Sequence, residues 1–165
     1  MGHEIVGTVD ELGTGVKNLK KGDPVGISWL YSTCGRCGYC VEGKENYCPG
    51  FIATGWDVDG GFAEYITINE DFALSLKGIH MDPEDSAPLL CPGIAGYCAF
   101  KLTDLKKGQR LGLFGFGPTA FYVLKAACYL GIEVFVSTRS SASEKEAREN
   151  GAVWVGNVRE EKIPE

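Results

Sequence analysis

Four cysteines in one short segment carry the strongest chemical signal in the sequence. They follow the spacing Cys-x2-Cys-x2-Cys-x7-Cys and lie at Cys34, Cys37, Cys40 and Cys48. Zinc takes four thiolates at the corners of a tetrahedron, and Cys-x2-Cys turns present neighbouring sulfur atoms to one ion. Because four thiolates leave no open coordination position, the spacing predicts a structural zinc site and not a catalytic one. Arg36 and Lys44 could offset the negative charge that such a cage leaves in excess.

Two other uses of the cysteines stay open at this point. Disulfides need an oxidising compartment, whereas the chain begins with Met1, Gly2, His3 and Glu4 and shows no secretory signal. An iron–sulfur cluster is the closer rival, because Cys48 is followed by Pro49, as in ferredoxin sequences. The gap of seven residues before Cys48 is longer than the ferredoxin gap. The spacing therefore favours zinc over both alternatives.

The second chemical motif is glycine-rich and joins a predicted strand to a predicted helix. In Gly-x-Gly-x-x-Ala, the first glycine permits a tight turn, the second lets a pyrophosphate approach the backbone, and a small third residue packs closely. Pro118 suits the first helical position, where an N–H group has no partner, and the helix start attracts phosphates. A purely structural turn would use the same residue types, but the setting favours dinucleotide binding. The candidate cofactor-binding residues are Gly115, Phe116, Gly117, Pro118, Thr119 and Ala120.

The end of the next predicted strand bears on the choice of dinucleotide. An acidic residue about 20 positions after the glycine motif holds the ribose hydroxyls of NAD. Here the strand runs from Ser137 into Thr138, Arg139 and Ser140, with no acid. Hydroxyl and guanidinium groups suit a 2′-phosphate, so we predict NADP in preference to NAD, with Thr138, Arg139 and Ser140 as further cofactor-binding residues. The alternative is that Arg139 is simply a solvated side chain.

The elements that must position these motifs fall into two regions, predicted as domains 1–104 and 105–165. In the first region, short runs rich in β-branched and aromatic residues alternate with glycine and proline, which predicts an irregular β domain or barrel. Its predicted strands are 5–9, 25–29 and 61–68, followed by helices that start at Pro83 and span 92–102. In the second region, strands and helices alternate, as in half of a doubly wound parallel sheet. These elements are predicted at 109–114, 119–130, 133–137, 143–149 and 153–155.

Composition excludes several classes of function. A formal net charge of −6 argues against a nucleic-acid partner, which needs clustered lysine and arginine. No apolar run approaches the roughly 20 residues that span a bilayer. Seven cysteines without a secretory signal indicate a reducing compartment, so we expect a cytoplasmic protein.

Taken together, the motifs resemble zinc-dependent alcohol dehydrogenases of the medium-chain dehydrogenase/reductase superfamily. The resemblance covers essentially the whole chain and is strongest to the branch of bacterial enzymes that also resembles cinnamyl-alcohol dehydrogenases. It rests on six segments in the same order: 2–7 (GHEIVG), 22–26 (GDPVG), the four cysteines, 59–65 (DGGFAEY), 87–91 (APLLC) and 115–117 (GFG).

The resemblance implies a mixed fold, a partial GroES-like β-barrel followed by a partial α/β Rossmann domain with a doubly wound parallel sheet. It also implies that His3, Glu4 and Cys91 belong to a catalytic zinc site, a role that these lone residues would not suggest by themselves. The implied function is interconversion of alcohols and aldehydes or ketones with NAD(P). The implied partners are a small-molecule substrate and, in the full-length form, further copies of the chain.

The family's remaining catalytic cysteine lies upstream of the Gly-His-Glu motif, and the second half of its Rossmann domain follows the third strand. We therefore expect a chain truncated at both ends, with an incomplete catalytic zinc site and little or no activity of its own. The alternative hypothesis is a zinc-stabilised, non-enzymatic fragment or interaction module.

Overall fold

The computed structural model describes residues 1–163, and the chain forms two compact units. The first runs from Met1 to Cys91 and the second begins at Pro92. The domain boundary predicted between residues 104 and 105 stays a prediction. No helix formed by residues 1–163 is long and apolar enough to cross a membrane.

The first unit is built from short antiparallel strands. Strands β1 (Ile5–Thr8), β2 (Pro24–Ile27) and β5 (Ala73–Ser75) form one sheet in the order β1-β2-β5, and β3 (Leu30–Ser32) pairs with β4 (Ile52–Ala53). The helical segments are α1 (Gly38–Val41), α2 (Pro83–Ser86) and three 3-10 turns, Glu45–Tyr47, Glu70–Phe72 and Ala87–Leu90. The predicted β character of this region is therefore present as two small sheets, and closure into a barrel stays a prediction.

The central strand β2 supplies much of the first unit's core. Val25 and Ile27 are buried, and between them Gly26 leaves room for Leu90. A Cβ atom on Gly26 would come within 2.8 Å of a Leu90 methyl carbon. This contact holds the 3-10 turn Ala87–Leu90 against the sheet, and it thereby also positions Cys91, which follows the turn.

The strand predicted at 61–68 is wrong, because the structure has no regular secondary structure there. A strand needs a partner for its backbone groups, and no strand among residues 1–163 pairs with this segment. Its aromatic residues Phe62 and Tyr65 are exposed, and Gly61 donates its N–H to the Gly2 carbonyl at 2.8 Å. The β propensity of its side chains is therefore not sufficient to make this segment a strand.

The second unit has the predicted alternation of parallel strands and helices. After helix α3 (Pro92–Leu102), strands β6 (Arg110–Phe114), β7 (Glu133–Ser137) and β8 (Trp154–Gly156) form a parallel sheet in that order. Helices α4 (Pro118–Tyr129) and α5 (Ser141–Glu149) connect them. Parallel strands place all their carboxyl ends at one edge of the sheet, where a ligand is expected.

The core of the second unit lies between this sheet and its helices. Its largest fully buried side chains are Leu124 of α4, Val134 and Val136 of β7, and Val155 of β8. Helix α3 approaches α4 closely at Gly96, where a Cβ atom would lie 2.8 Å from the Thr119 carbonyl oxygen. The packed core fixes the strand ends that carry the glycine motif and the hydroxyl residues.

Candidate metal centres and nucleotide pocket

The structure brings the four predicted zinc ligands together. All four sulfur atoms lie within 4.8 Å of one another. Two sulfur atoms at tetrahedral corners around zinc, each about 2.3 Å from the ion, lie about 3.8 Å apart. The observed separations are 3.5 Å for Cys37–Cys40, 3.6 Å for Cys34–Cys48 and 3.9 Å for Cys34–Cys40. The cluster therefore fits a tetrahedral thiolate site.

Backbone turns position these sulfur atoms. Gly35 and Gly43 adopt φ angles of 67° and 69°, a left-handed conformation that glycine tolerates at little cost. Cys37 is the N-cap of α1 and Cys40 lies inside it, and this short helix brings their sulfur atoms within 3.5 Å of each other. Cys48 is buried and follows the 3-10 turn Glu45–Tyr47. The loop thus wraps its four sulfur atoms around one point.

Neighbouring backbone and sulfur groups shift the pKa values of these thiols. The pKa of Cys34 is lowered to about 6, first by the backbone N–H of Arg36 and then by that of Cys37. The Cys40 backbone N–H lowers the pKa of Cys37, but burial and the neighbouring sulfur atoms outweigh it and raise the pKa to about 11. Like charges at close range cannot all ionise together, whereas a bound cation favours the thiolate form of each. This donor set is therefore suited to a soft divalent cation.

A second cluster consists of the residues that the resemblance assigns to a catalytic metal. The ligand atoms of His3, Glu4 and Cys91 lie within 4.8 Å of one another, and His3 Nε2 is 3.2 Å from Cys91 Sγ. His3 and Cys91 are partly buried, whereas Glu4 is exposed. Burial, and secondarily the Glu4 charge, raise the pKa of the Cys91 thiol. A nitrogen, a sulfur and an oxygen donor at this range form a set that zinc accepts.

The amino-terminal residues are held in place by a cradle of glycines. The Met1 amino group donates to the Gly55 carbonyl at 2.9 Å, and Gly2 accepts from Gly61. A Cβ atom on Gly60 would lie 2.2 Å from the Met1 carbonyl oxygen and 2.3 Å from that of Gly2. Because Gly60 has no side chain, the backbone of Met1 and Gly2 can lie against it, and this contact positions His3, which follows Gly2.

Sequence reasoning missed the aromatic neighbour of His3. The Trp29 ring meets the His3 ring edge to face, with centroids 5.1 Å apart and planes at 81°. This contact restricts rotation of the imidazole. No spacing signal links the two residues, because the contact depends on the pairing of β1 with β2, which brings the segments before β1 and after β2 together.

The second unit has a cavity of about 380 Å³ at the carboxyl edge of its sheet. Of the predicted cofactor residues, Gly115, Thr138, Arg139 and Ser140 line it. The other glycine-motif residues lie at the start of α4. Gly117 is its N-cap and Pro118 its first residue, while Phe116 is buried and Ala120 packs against the core.

Hydrogen bonds join the two predicted parts of this pocket. Gly115 donates its N–H to the Ser137 carbonyl at 2.8 Å, and Ser143 Oγ donates to the Phe116 carbonyl at 3.2 Å. The lining also includes five residues that sequence reasoning missed: Phe114, Ser137, Asn157, Val158 and Arg159. The missed signal was topological, because residues that follow β8 must reach the same edge as those that follow β7.

Comparison with known proteins agrees with both units. The sequence pattern of the alcohol dehydrogenase GroES-like domain matches residues 1–78. A probable alcohol dehydrogenase, AdhA, from Mycobacterium tuberculosis is 46% identical over 156 residues, which cover 92% of this chain and 45% of that protein. An alcohol dehydrogenase from Geobacillus stearothermophilus is 37% identical over 163 residues, covering 98% of this chain and 48% of that protein.

Solved structures give the same result. The CAD protein of Helicobacter pylori, complexed with NADP(H), superposes with a TM-score of 0.88 at 30% identity, over 99% of this chain and 49% of that one. A cinnamyl alcohol dehydrogenase from Sorghum bicolor has a TM-score of 0.86 at 31% identity, over 93% and 46%. These matches support the assignment of the chain to the zinc-type medium-chain alcohol dehydrogenase family. It spans about half the length of the curated relatives it matches.

Proposed function

We propose that this chain carries the zinc-binding part and half of the dinucleotide-binding part of an oxidoreductase that interconverts alcohols and aldehydes or ketones with NAD(P). The observation that supports this most is the convergence of His3, Glu4 and Cys91, whose ligand atoms lie within 4.8 Å of one another. These residues come from opposite ends of the first unit, and their donor types match a metal site open to a further ligand.

The residues of this cluster have distinct roles in the proposal. His3 and Cys91 hold the metal through Nε2 and Sγ, and Glu4 lies beside it as an alternate or second-shell ligand. Trp29 restricts the imidazole ring. When bound, zinc supplies Lewis-acid polarisation of the substrate oxygen. The cysteines 34, 37, 40 and 48 hold a second, structural zinc that orders their loop.

The second unit binds the dinucleotide in this proposal. Residues Gly115 to Ala120 bring bare backbone and a helix start to the pyrophosphate. Thr138, Arg139 and Ser140 offer hydroxyl and guanidinium donors where an NAD-binding protein has an acid, and this supports NADP over NAD. The Helicobacter pylori relative, which binds NADP(H), agrees with that choice.

Turnover of the whole protein tests this proposal. We expect zinc-dependent reduction of an aldehyde with NADPH, abolished by Cys91→Ser. Cys98→Ser is the matched control, because Cys98 is an exposed thiol outside both clusters, and it should retain activity. Equal activity in the two variants would refute the role of Cys91, and absence of both zinc and turnover would refute the proposed function.

One observation favours the alternative, a zinc-stabilised interaction module. Strand β6 lies at the edge of the described sheet, and its Phe114 side chain is 75% exposed. The unpaired backbone groups of an edge strand, together with an exposed aromatic residue, can bind a strand of another chain. Size-exclusion chromatography of the 165-residue chain distinguishes the two, since a stable monomer that binds NADPH contradicts the module.

A further inference from the structure

Three hydroxyl groups line the cavity of the second unit, and within residues 1–163 each accepts a backbone N–H and donates to no protein acceptor. Ser137 Oγ accepts the N–H of Val158 at 3.4 Å, and Thr138 Oγ1 accepts that of Ser140 at 3.3 Å. Ser140 Oγ in turn accepts the N–H of Ser143 at 3.3 Å. A hydroxyl has one donor and two acceptor lone pairs. Each of these three groups can therefore still donate its O–H into the cavity.

The charged groups that line the cavity are all positive. Arg139 and Arg159 are both exposed, and within residues 1–163 neither guanidinium forms an ion pair. No acidic side chain of the described chain lines the cavity. Glu160 follows Arg159, but its carboxylate accepts from the Asn157 side chain at 2.7 Å and does not line the cavity. The site therefore offers donors and positive charge, which suit an anion.

Two hydrogen bonds anchor the backbone at Arg159 and at the residue before it. Asn157 Oδ1 accepts the N–H of Arg159 at 3.1 Å, and the bond from Val158 to Ser137 ties the same turn to the end of β7. This turn follows β8, so its position depends on the third strand and not on the glycine motif. Arg159 is thus presented at the cavity from a different element than Arg139.

We propose that Arg159 is a specificity-determining residue of this pocket and binds, together with Arg139, the phosphate monoester on the adenosine ribose of the dinucleotide. The inference rests on the proposed function. A phosphate monoester carries a charge of about −1.5 to −2, which two guanidinium groups balance. Guanidinium groups bind phosphate oxygens in paired, charge-assisted hydrogen bonds, and the three hydroxyls supply further donors. A ribose that lacks this phosphate offers Arg159 no anionic group to bind.

Calorimetric titration of the 165-residue chain with two probes tests the inference. The probes are adenosine 2′,5′-bisphosphate and 5′-AMP, which differ in the 2′-phosphate. We expect the bisphosphate to bind at least about tenfold more tightly, and Arg159→Gln to weaken its binding by roughly tenfold while 5′-AMP stays within about twofold. Arg159→Lys should recover part of the loss, because it keeps the charge but not the paired donors.

The matched control is Arg110→Gln. Arg110 lies at the amino end of β6, where it pairs with Glu133, and its loss changes the net charge equally at the opposite edge of the sheet. Bisphosphate binding to the wild-type chain should weaken with salt, and Arg159→Gln should reduce this salt dependence while Arg110→Gln should not. A purely structural role for Arg159 would change neither this dependence nor the ratio of the two affinities.

Each contrary result has a distinct meaning. If Arg159→Gln behaves like Arg110→Gln, the role of Arg159 is overturned while the preference for NADP stands on Arg139. If the wild-type chain binds both probes equally, the phosphate site and the NADP preference are overturned, but dinucleotide binding stands. If neither probe binds, both this inference and the dinucleotide part of the proposed function are overturned.

Discussion

The Nε2 atom of His3 lies 3.2 Å from the Sγ atom of Cys91, although 88 positions separate the two residues in the chain. The fold produces this contact from both sides. Gly60 lets the backbone before His3 settle against the loop, and Leu90, packed over Gly26, holds the turn before Cys91. The donor pair is thus a product of two close backbone approaches that glycine makes possible.

Removing the sulfur of this pair should weaken metal binding at the second cluster. We expect Cys91→Ser to lower the affinity for zinc or cobalt at the His3 cluster by at least about tenfold, because a neutral hydroxyl is a poor substitute for a thiolate. Cobalt titration followed by visible absorption measures it. Cys98→Ser should match the wild-type chain, and an unchanged affinity in Cys91→Ser would remove Cys91 from the ligand set.

A side chain added at Gly60 should displace His3. In Gly60→Ala, the new Cβ would lie 2.2 Å from the Met1 carbonyl oxygen, so the backbone must move, at a cost of about 1–3 kcal/mol. Urea unfolding and the cobalt titration should both show the loss. Gly13→Ala is the control, because a Cβ there meets nothing within 4 Å. If Gly60→Ala and Gly13→Ala gave equal results, the cradle would have no role.

Helix packing in the second unit should depend on Gly96. A Cβ in Gly96→Ala would lie 2.8 Å from the Thr119 carbonyl oxygen and force α3 away from α4. Alanine gains about 1 kcal/mol in helix propensity, so we expect a net destabilisation of roughly 1 kcal/mol. Urea unfolding followed by circular dichroism measures this. In Gly112→Ala the nearest atom is at 3.5 Å, an ordinary contact, so stability should change by less than about 0.5 kcal/mol. A stabilised Gly96→Ala chain would contradict the close contact.

Acid should loosen the loop that precedes β2. The backbone N–H groups of Asn18 and then Lys17 hold the pKa of Glu70 below its ordinary value of about 4. A carboxyl whose pKa is lower in the folded state stabilises the fold above its unfolded pKa, and this stabilisation is lost as the pH falls through the folded pKa. Wild type should therefore exceed Glu70→Gln in urea midpoint at pH 6, and the difference should shrink progressively as the pH falls below about 4. A constant difference would show that the charge of Glu70 is not responsible.

The local patterns in the sequence were sufficient for the second unit. Helix 92–102 and strand 133–137 were predicted with the bounds that the structure has, because Pro92 and Gly131 mark their starts with local signals. The cysteine spacing likewise predicted a cluster whose sulfur atoms converge. Both signals lie within short stretches of chain.

Features that depend on distant contacts were not predictable in the same way. Segment 61–68 has strand-like residue types but no partner strand among the described residues. Trp29 meets His3, and Arg159 reaches the cavity beside Arg139, only through the arrangement of strands. The pairing of His3 with Cys91 followed from the family resemblance and not from the spacing of residue types.

Metal content of the reduced, purified chain tests the account most directly. Elemental analysis after dialysis against metal-free buffer should find zinc bound to the Cys34, Cys37, Cys40 and Cys48 cluster, and Cys40→Ser should lose that equivalent while Cys128→Ser keeps it. Zinc at 1,000 times its dissociation constant should stabilise the wild-type chain by about 4 kcal/mol. A chain that holds no metal, or that holds iron in place of zinc, would contradict the structural zinc site on which the account rests.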